Sequence, residues 1–131
     1  MSNRILHAIS SRLSLRPPQA ESLAKLAQAL DAAPTMLKHE RDVAAILAAL
    51  KGLFPTLSDF EREFPSLCFA LATGVGKTRL MGACIAYLHL RYGINNFFVL
   101  APNLTIYNKL IADFTPNTPK YVFKGISEFN L

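Results

Sequence analysis

Apolar positions in the first 66 residues recur at helical spacing. Ile5, Leu6, Ile9 and Leu13 lie three and four apart, which predicts a helix that Pro17 and Pro18 interrupt. Proline is accepted in a first helical turn, so a second helix is expected from about Pro18 to Leu30, with Leu23, Leu26 and Leu30 on one stripe. Pro34 separates it from an alanine- and leucine-rich helix spanning about Met36 to Leu50, closed by Gly52 and Pro55. Ser58-Asp59-Phe60-Glu61 has the spacing of a capping box and predicts one short helix ending before Pro65.

After Pro65 the pattern changes. Leu67-Cys68-Phe69-Ala70-Leu71 is a short continuous apolar run, the pattern of a strand buried on both faces of a parallel sheet. A glycine-containing loop follows, then a helix expected from Lys77 to about Tyr92 with Gly93 as its stop. Asn96-Phe97-Phe98-Val99-Leu100 reads as the next strand. Asn103 is placed to cap a helix reaching about Phe114, which Thr115-Pro116 ends. Tyr121-Val122-Phe123 reads as a third strand. Strand, helix, strand, helix, strand is the order of a doubly wound α/β sheet.

The loop carries the chemistry. Ala72-Thr73-Gly74-Val75-Gly76-Lys77-Thr78 contains Gly-x-Gly-Lys-Thr between an expected strand and an expected helix. Gly74 and Gly76 let the backbone curl and aim its N–H groups inward, and the helix start adds further N–H donors and a positive dipole end. Lys77 places a full charge on the β and γ phosphates of a nucleoside triphosphate, and Thr78 offers a hydroxyl to Mg²⁺. The expected ligand is ATP with Mg²⁺, bound by Thr73, Gly74, Val75, Gly76, Lys77 and Thr78, with Lys77 and Thr78 also serving catalysis. An ordinary strand-to-helix turn is the bland alternative.

Charge placement agrees with an anionic ligand. Residues 1–70 hold 8 Lys/Arg against 7 Asp/Glu, a balance of +1, whereas residues 71–131 hold 6 against 2, a balance of +4. The basic excess therefore lies in the half with the loop, which suits nucleotide and nucleic acid. Lys109, Lys120 and Lys124 read equally well as a solvated basic surface. Arg4, Arg12 and Arg16, with serines and no acid before Glu21, faintly resemble a transit peptide, but they run into a second motif. The two cysteines, Cys68 and Cys84, lie in apolar surroundings and form no Cys-x-x-Cys, so buried free thiols in a reducing, cytoplasmic setting are expected. No apolar run approaches the ~20 residues of a membrane span, and no metal cluster is suggested by the three histidines.

The loop departs from the commonest phosphate-loop pattern, because Leu71 stands where that pattern begins with glycine. In this it resembles the first motif of superfamily 2 helicases and translocases. Leu15-Arg16-Pro17-Pro18-Gln19, followed by Glu21 and Leu23, resembles their glutamine motif, which implies that Gln19 contacts the adenine edge. Val99-Leu100-Ala101-Pro102-Asn103-Leu104 resembles the next motif, which implies that Asn103 and Thr105 touch nucleic-acid phosphates; as a bland alternative, Asn103 is a helix cap. The stretch from Phe69 to Phe129 is similar to the ATPase start of type III restriction-enzyme Res-like proteins, a DEAD/DEAH-like group. Ala101-Pro102-Asn103-Leu104-Thr105-Ile106-Tyr107 leading to Phe114-Thr115-Pro116 is the most similar part.

The fold class expected from all of this is α/β. An N-terminal helical segment, residues 1–66, precedes an incomplete RecA-like parallel-sheet P-loop NTPase domain, residues 67–131. The resemblance implies an ATP-binding part of a DNA helicase or translocase of a restriction or phage-defence enzyme, coupling ATP hydrolysis to movement on duplex DNA. It also implies a modification or nuclease partner in the complete system. The acidic Asp-Glu-x-[Asp/His] motif of such enzymes has no match, since Asp113 and Glu128 are the only acids after Lys77. The chain is therefore expected to be an N-terminal fragment that binds nucleotide without turnover. The rival readings are a non-helicase P-loop NTPase, disfavoured by Leu71 and the Ala-Pro-Asn-Leu segment, and a nucleotide-binding module without catalysis.

Overall fold

The computed structural model describes residues 2–38, 42–60, 64–71, 76–101, 103–116 and 123. Five α-helices occur among them: α1 (Ser2–Arg12), α2 (Pro17–Ala32), α3 (Val43–Leu53), α4 (Lys77–Tyr92) and α5 (Leu104–Phe114). The chain divides into two compact units, one of residues 1–23 with 71–131, the other of residues 24–70.

In the first unit α1 packs against α4. The α1 stripe buries Ile9, and Leu13 just beyond the helix is buried with it. On α4 the buried positions Leu80, Ala83, Ala86 and Tyr87 recur at three and four, so one face is turned inward. Full burial of each Leu or Ile is worth about 1.5–3 kcal/mol, so this small interface rests on few side chains. The α1 end is closed by Ser14 in a left-handed conformation (φ 52°), with its N–H donating to Ser11 O at 3.3 Å and that of Leu15 to Ser10 O at 2.9 Å. Arg79, from the first turn of α4, donates to the Leu13 carbonyl at 2.8 Å and so supplies a cation to the same helix end.

The second unit has its own core of Ala29, Ala33, Ile46, Leu50 and Phe60, with Met36, Val43, Leu47, Phe54, Leu57 and Leu67 packed against it. The single helix expected from Met36 to Leu50 is two elements instead. Pro34 opens a short 3₁₀ turn, Pro34–Leu37, and α3 starts afresh at Val43, where the Asp42 side chain accepts from Ala45 N at 3.1 Å. An acidic cap competes successfully with propagation of the preceding turn. Ser58, Asp59 and Phe60 are not helical, so no helix starts at Ser58; residues 61–63 lie outside the described set.

The α/β expectation is overturned. No strand occurs among the described residues, which are mainly helical, so no RecA-like parallel sheet is seen among them. Residues 67–71 and 96–100 are the two apolar runs read as buried strands; Tyr121 and Val122 of the third lie outside the described residues. The physical reason is that strand identity comes from ladder hydrogen bonds and covered faces, neither of which an apolar run supplies by itself. Phe98 is 88% and Leu100 76% exposed, the reverse of a strand covered on both faces. Cys68 is exposed for the same reason, against the expectation of a buried thiol.

Candidate nucleotide site

The start of α4 is the centre of the site. Gly76 precedes the helix in the left-handed region (φ 81°), and no side chain caps this end. The first turn holds no acid, and Lys77 is exposed. The N–H groups that open a helix have no intrahelical partner, so this terminus presents donors and a positive dipole end to an anion. Thr73, Gly74 and Val75 of the expected loop lie outside the described residues, as does Ala72.

Gln19 comes to Gly76 from 57 residues away. Prolines at the first two positions of α2 put Gln19 third, still within the first turn, where it is buried. Its Oε1 accepts from Arg16 N at 2.8 Å and its Nε2 donates to Gly76 O at 2.9 Å. A Cβ at position 76 would lie 2.4 Å from that Nε2, so the close approach requires glycine as well as the positive φ does. Ser14, Arg16, Gln19, Gly76 and Arg79 line an open cavity of about 350 Å³ beside this contact.

On the other flank, Thr78 is half-buried and its Oγ1 accepts from Lys109 Nζ of α5 at 3.3 Å. Lys109 also pairs with Asp113 Oδ2 at 3.4 Å, one turn along α5. The sequence left Lys109 equally open to an anionic ligand or a solvated surface, and Asp113 was an acid without a setting. Their spacing of four was a legible pairing signal, but the approach of α5 to Thr78 was not. Arg79 and Arg16 were likewise missed as cavity residues.

Asn103 and Thr105 are exposed at the start of α5. The Asn103 side chain accepts from Ile106 N at 2.9 Å, which makes it the cap of that helix.

The pattern described as "Type III restriction enzyme, res subunit" matches residues 12–130. The chain belongs to that family. A res-subunit chain carries a helicase-like ATP-binding domain of the restriction-enzyme type, and domains of this family use ATP and Mg²⁺. No curated protein and no solved structure matches the chain. The match includes Gln19, α4 and α5, so the geometry just described falls within the family region. No helix among the described residues is long and apolar enough to cross a membrane.

The described residues fit a phosphate tail: an uncapped helix start, a glycine at the one place where a Cβ would collide, and an exposed lysine beside it. For Mg²⁺ they offer one neutral ligand, the Thr78 hydroxyl, and no group of three His, Cys, Asp or Glu occurs among them. That suits a metal held chiefly by phosphate oxygens and water.

Proposed function

We infer that this chain binds ATP·Mg²⁺ at the start of α4, and that the res-subunit protein it belongs to couples ATP hydrolysis to movement along DNA. The observation that carries the reading is the bond from Gln19 to Gly76, which fixes the residue that opens α4 and leaves the helix start to an anion. Thr73, Gly74, Val75 and Gly76 cradle the phosphates with backbone N–H groups, Lys77 neutralises the β and γ phosphates, and Thr78 is the protein ligand of Mg²⁺. The metal, when bound, stabilises charge on the transferring phosphoryl group. The nucleoside end takes the cavity beside Gln19, whose amide then serves the base and the loop together. At about 350 Å³ that cavity has the size of small-ligand sites.

DNA is the proposed second partner, contacted through phosphates by Asn103, Thr105 and the N–H groups opening α5. Such contacts are indifferent to sequence and weaken with salt.

A titration of the full chain with ATP and with adenosine, each with Mg²⁺, tests the nucleotide reading. Lys77→Ala is expected to weaken ATP binding at least tenfold and leave adenosine unchanged, because a charge-assisted phosphate contact is worth ~1.5–3 kcal/mol. Equal loss for both ligands would place Lys77 away from the phosphates and sink the reading.

A further inference from the structure

Asp113 stands where a carboxylate is least welcome on α5. Its side chain is 9% exposed, so water solvates it poorly. It lies in the last turn of the helix, where the negative dipole end opposes an anion. Its partner Lys109 precedes it at i, i+4, the weaker of the two orders for such a pair. A helix built only for packing has no reason to keep an acid there. What the acid does is hold an ammonium: Lys109 Nζ sits 3.4 Å from Asp113 Oδ2 and 3.3 Å from Thr78 Oγ1.

Thr78 is the second residue of α4, at the edge of the helix start assigned above to phosphate. Lys109 is 60% exposed on its long stem, so it turns without repacking the core. An ammonium held within hydrogen-bond reach of the Thr78 hydroxyl is one side-chain rotation from any oxyanion received at that helix start. A triphosphate brings several charges to that volume, more than the single carboxylate that holds Lys109 beforehand.

We propose that Lys109 is a second phosphate-binding cation of the nucleotide site, held between Thr78 and Asp113 until the triphosphate arrives and then transferred to it. Asp113 holds the ammonium only before the nucleotide binds. The inference rests on the nucleotide reading of α4 and adds a residue from a different helix. It makes α5 part of the nucleotide site through a side chain distinct from the Asn103 cap. Because the contact is exposed, its contribution declines as salt rises.

The test titrates the full chain with ATP·Mg²⁺ and with adenosine at low and high salt, using Lys109→Met, Lys109→Arg, Asp113→Asn and Lys77→Met. Lys109→Met is expected to weaken ATP binding about fivefold at low salt, the scale of a partly exposed charge contact, with adenosine unchanged. Lys109→Arg restores most of the affinity, and Asp113→Asn tightens ATP by removing the competing anion. Asp113 is buried and its variant is checked by melting, whereas the exposed Lys109 tolerates both changes. ATP binding that is unchanged or tighter in Lys109→Met overturns the proposal, while a loss in Lys77→Met shows the nucleotide reading still standing. If Lys77→Met is also without effect, the nucleotide reading fails and this inference with it.

Discussion

Gln19 Nε2 and Gly76 O, 2.9 Å apart, join the first turn of α2 to the residue that opens α4. The contact leaves no space for a Cβ at position 76, where one would stand 2.4 Å from Nε2. Sterics and hydrogen bonding thus tie one glutamine to one glycine. The Gly76 carbonyl also accepts from Leu80 N at 3.2 Å, so the clamp and the first bond of α4 share an acceptor.

Gly76→Ala is expected to destabilise the chain by roughly 2–4 kcal/mol, combining a left-handed alanine at about 1–2 kcal/mol with displacement of a buried, bonded amide. In a Gln19→Ala background the collision is gone and only the backbone strain remains, so the same substitution should cost about 1–2 kcal/mol. Denaturant melts of the four proteins measure the coupling. Equal costs in both backgrounds would show that Gln19 does not press on Gly76.

Local signals were the legible part of this fold. The bounds of α4 follow from the loop before it and Gly93 after it, whose φ of 70° is the left-handed stop that glycine supplies. Those of α5 follow from Asn103 and Thr115-Pro116. Neither case needs a distant residue. The two apolar runs misled because a buried strand is a property of its neighbours, and Phe98 and Leu100 have no covering layer here. The same division runs through the site. Gln19 and Gly76 were each singled out by the sequence pattern around them. That Gln19 would bond to Gly76, and that Lys109 would reach Thr78, depends on packing between segments far apart in the chain.

The two thiols should separate cleanly. Burial raises the Cys84 thiol from the model-compound 9.0 to about 11, whereas Cys68 is exposed. At neutral pH a thiolate-directed alkylating reagent should modify Cys68 in the folded chain much faster than the half-buried Cys84, and denaturant should bring the two rates together. Linkage gives a second readout. A folded-state pKa above the unfolded one contributes stability that is intact below about pH 9 and is lost as pH rises toward 11, because only the unfolded chain releases the proton in that window. Cys84→Ala should remove that alkaline loss, at most about 3 kcal/mol for two units at about 1.4 kcal/mol each. Equal labelling rates for Cys84 and Cys68 in the folded chain would refute the difference between them.

Asn103 has two roles to separate, and charge separates them. Its side chain accepts from Ile106 N at 2.9 Å, so Asn103→Ala should cost about 1 kcal/mol of stability from the lost cap whether or not DNA is bound there. Asn103→Asp keeps an equally good cap and adds a negative charge at the positive end of α5, so stability should hold or rise by a few tenths of a kcal/mol. Against a phosphate backbone that same charge is repulsive. If Asn103 and Thr105 lie on DNA, Asn103→Asp should weaken duplex binding severalfold, with the effect shrinking as salt is raised. The double change to alanine at Asn103 and Thr105 should weaken binding with little change in the salt slope, because neutral donors release no counterions. Fluorescence anisotropy with a labelled duplex at several salt concentrations, run beside thermal melts, distinguishes the cases. An aspartate variant that is as stable as the parent and binds DNA equally well leaves Asn103 with the cap alone, and moves the proposed DNA contact off the start of α5.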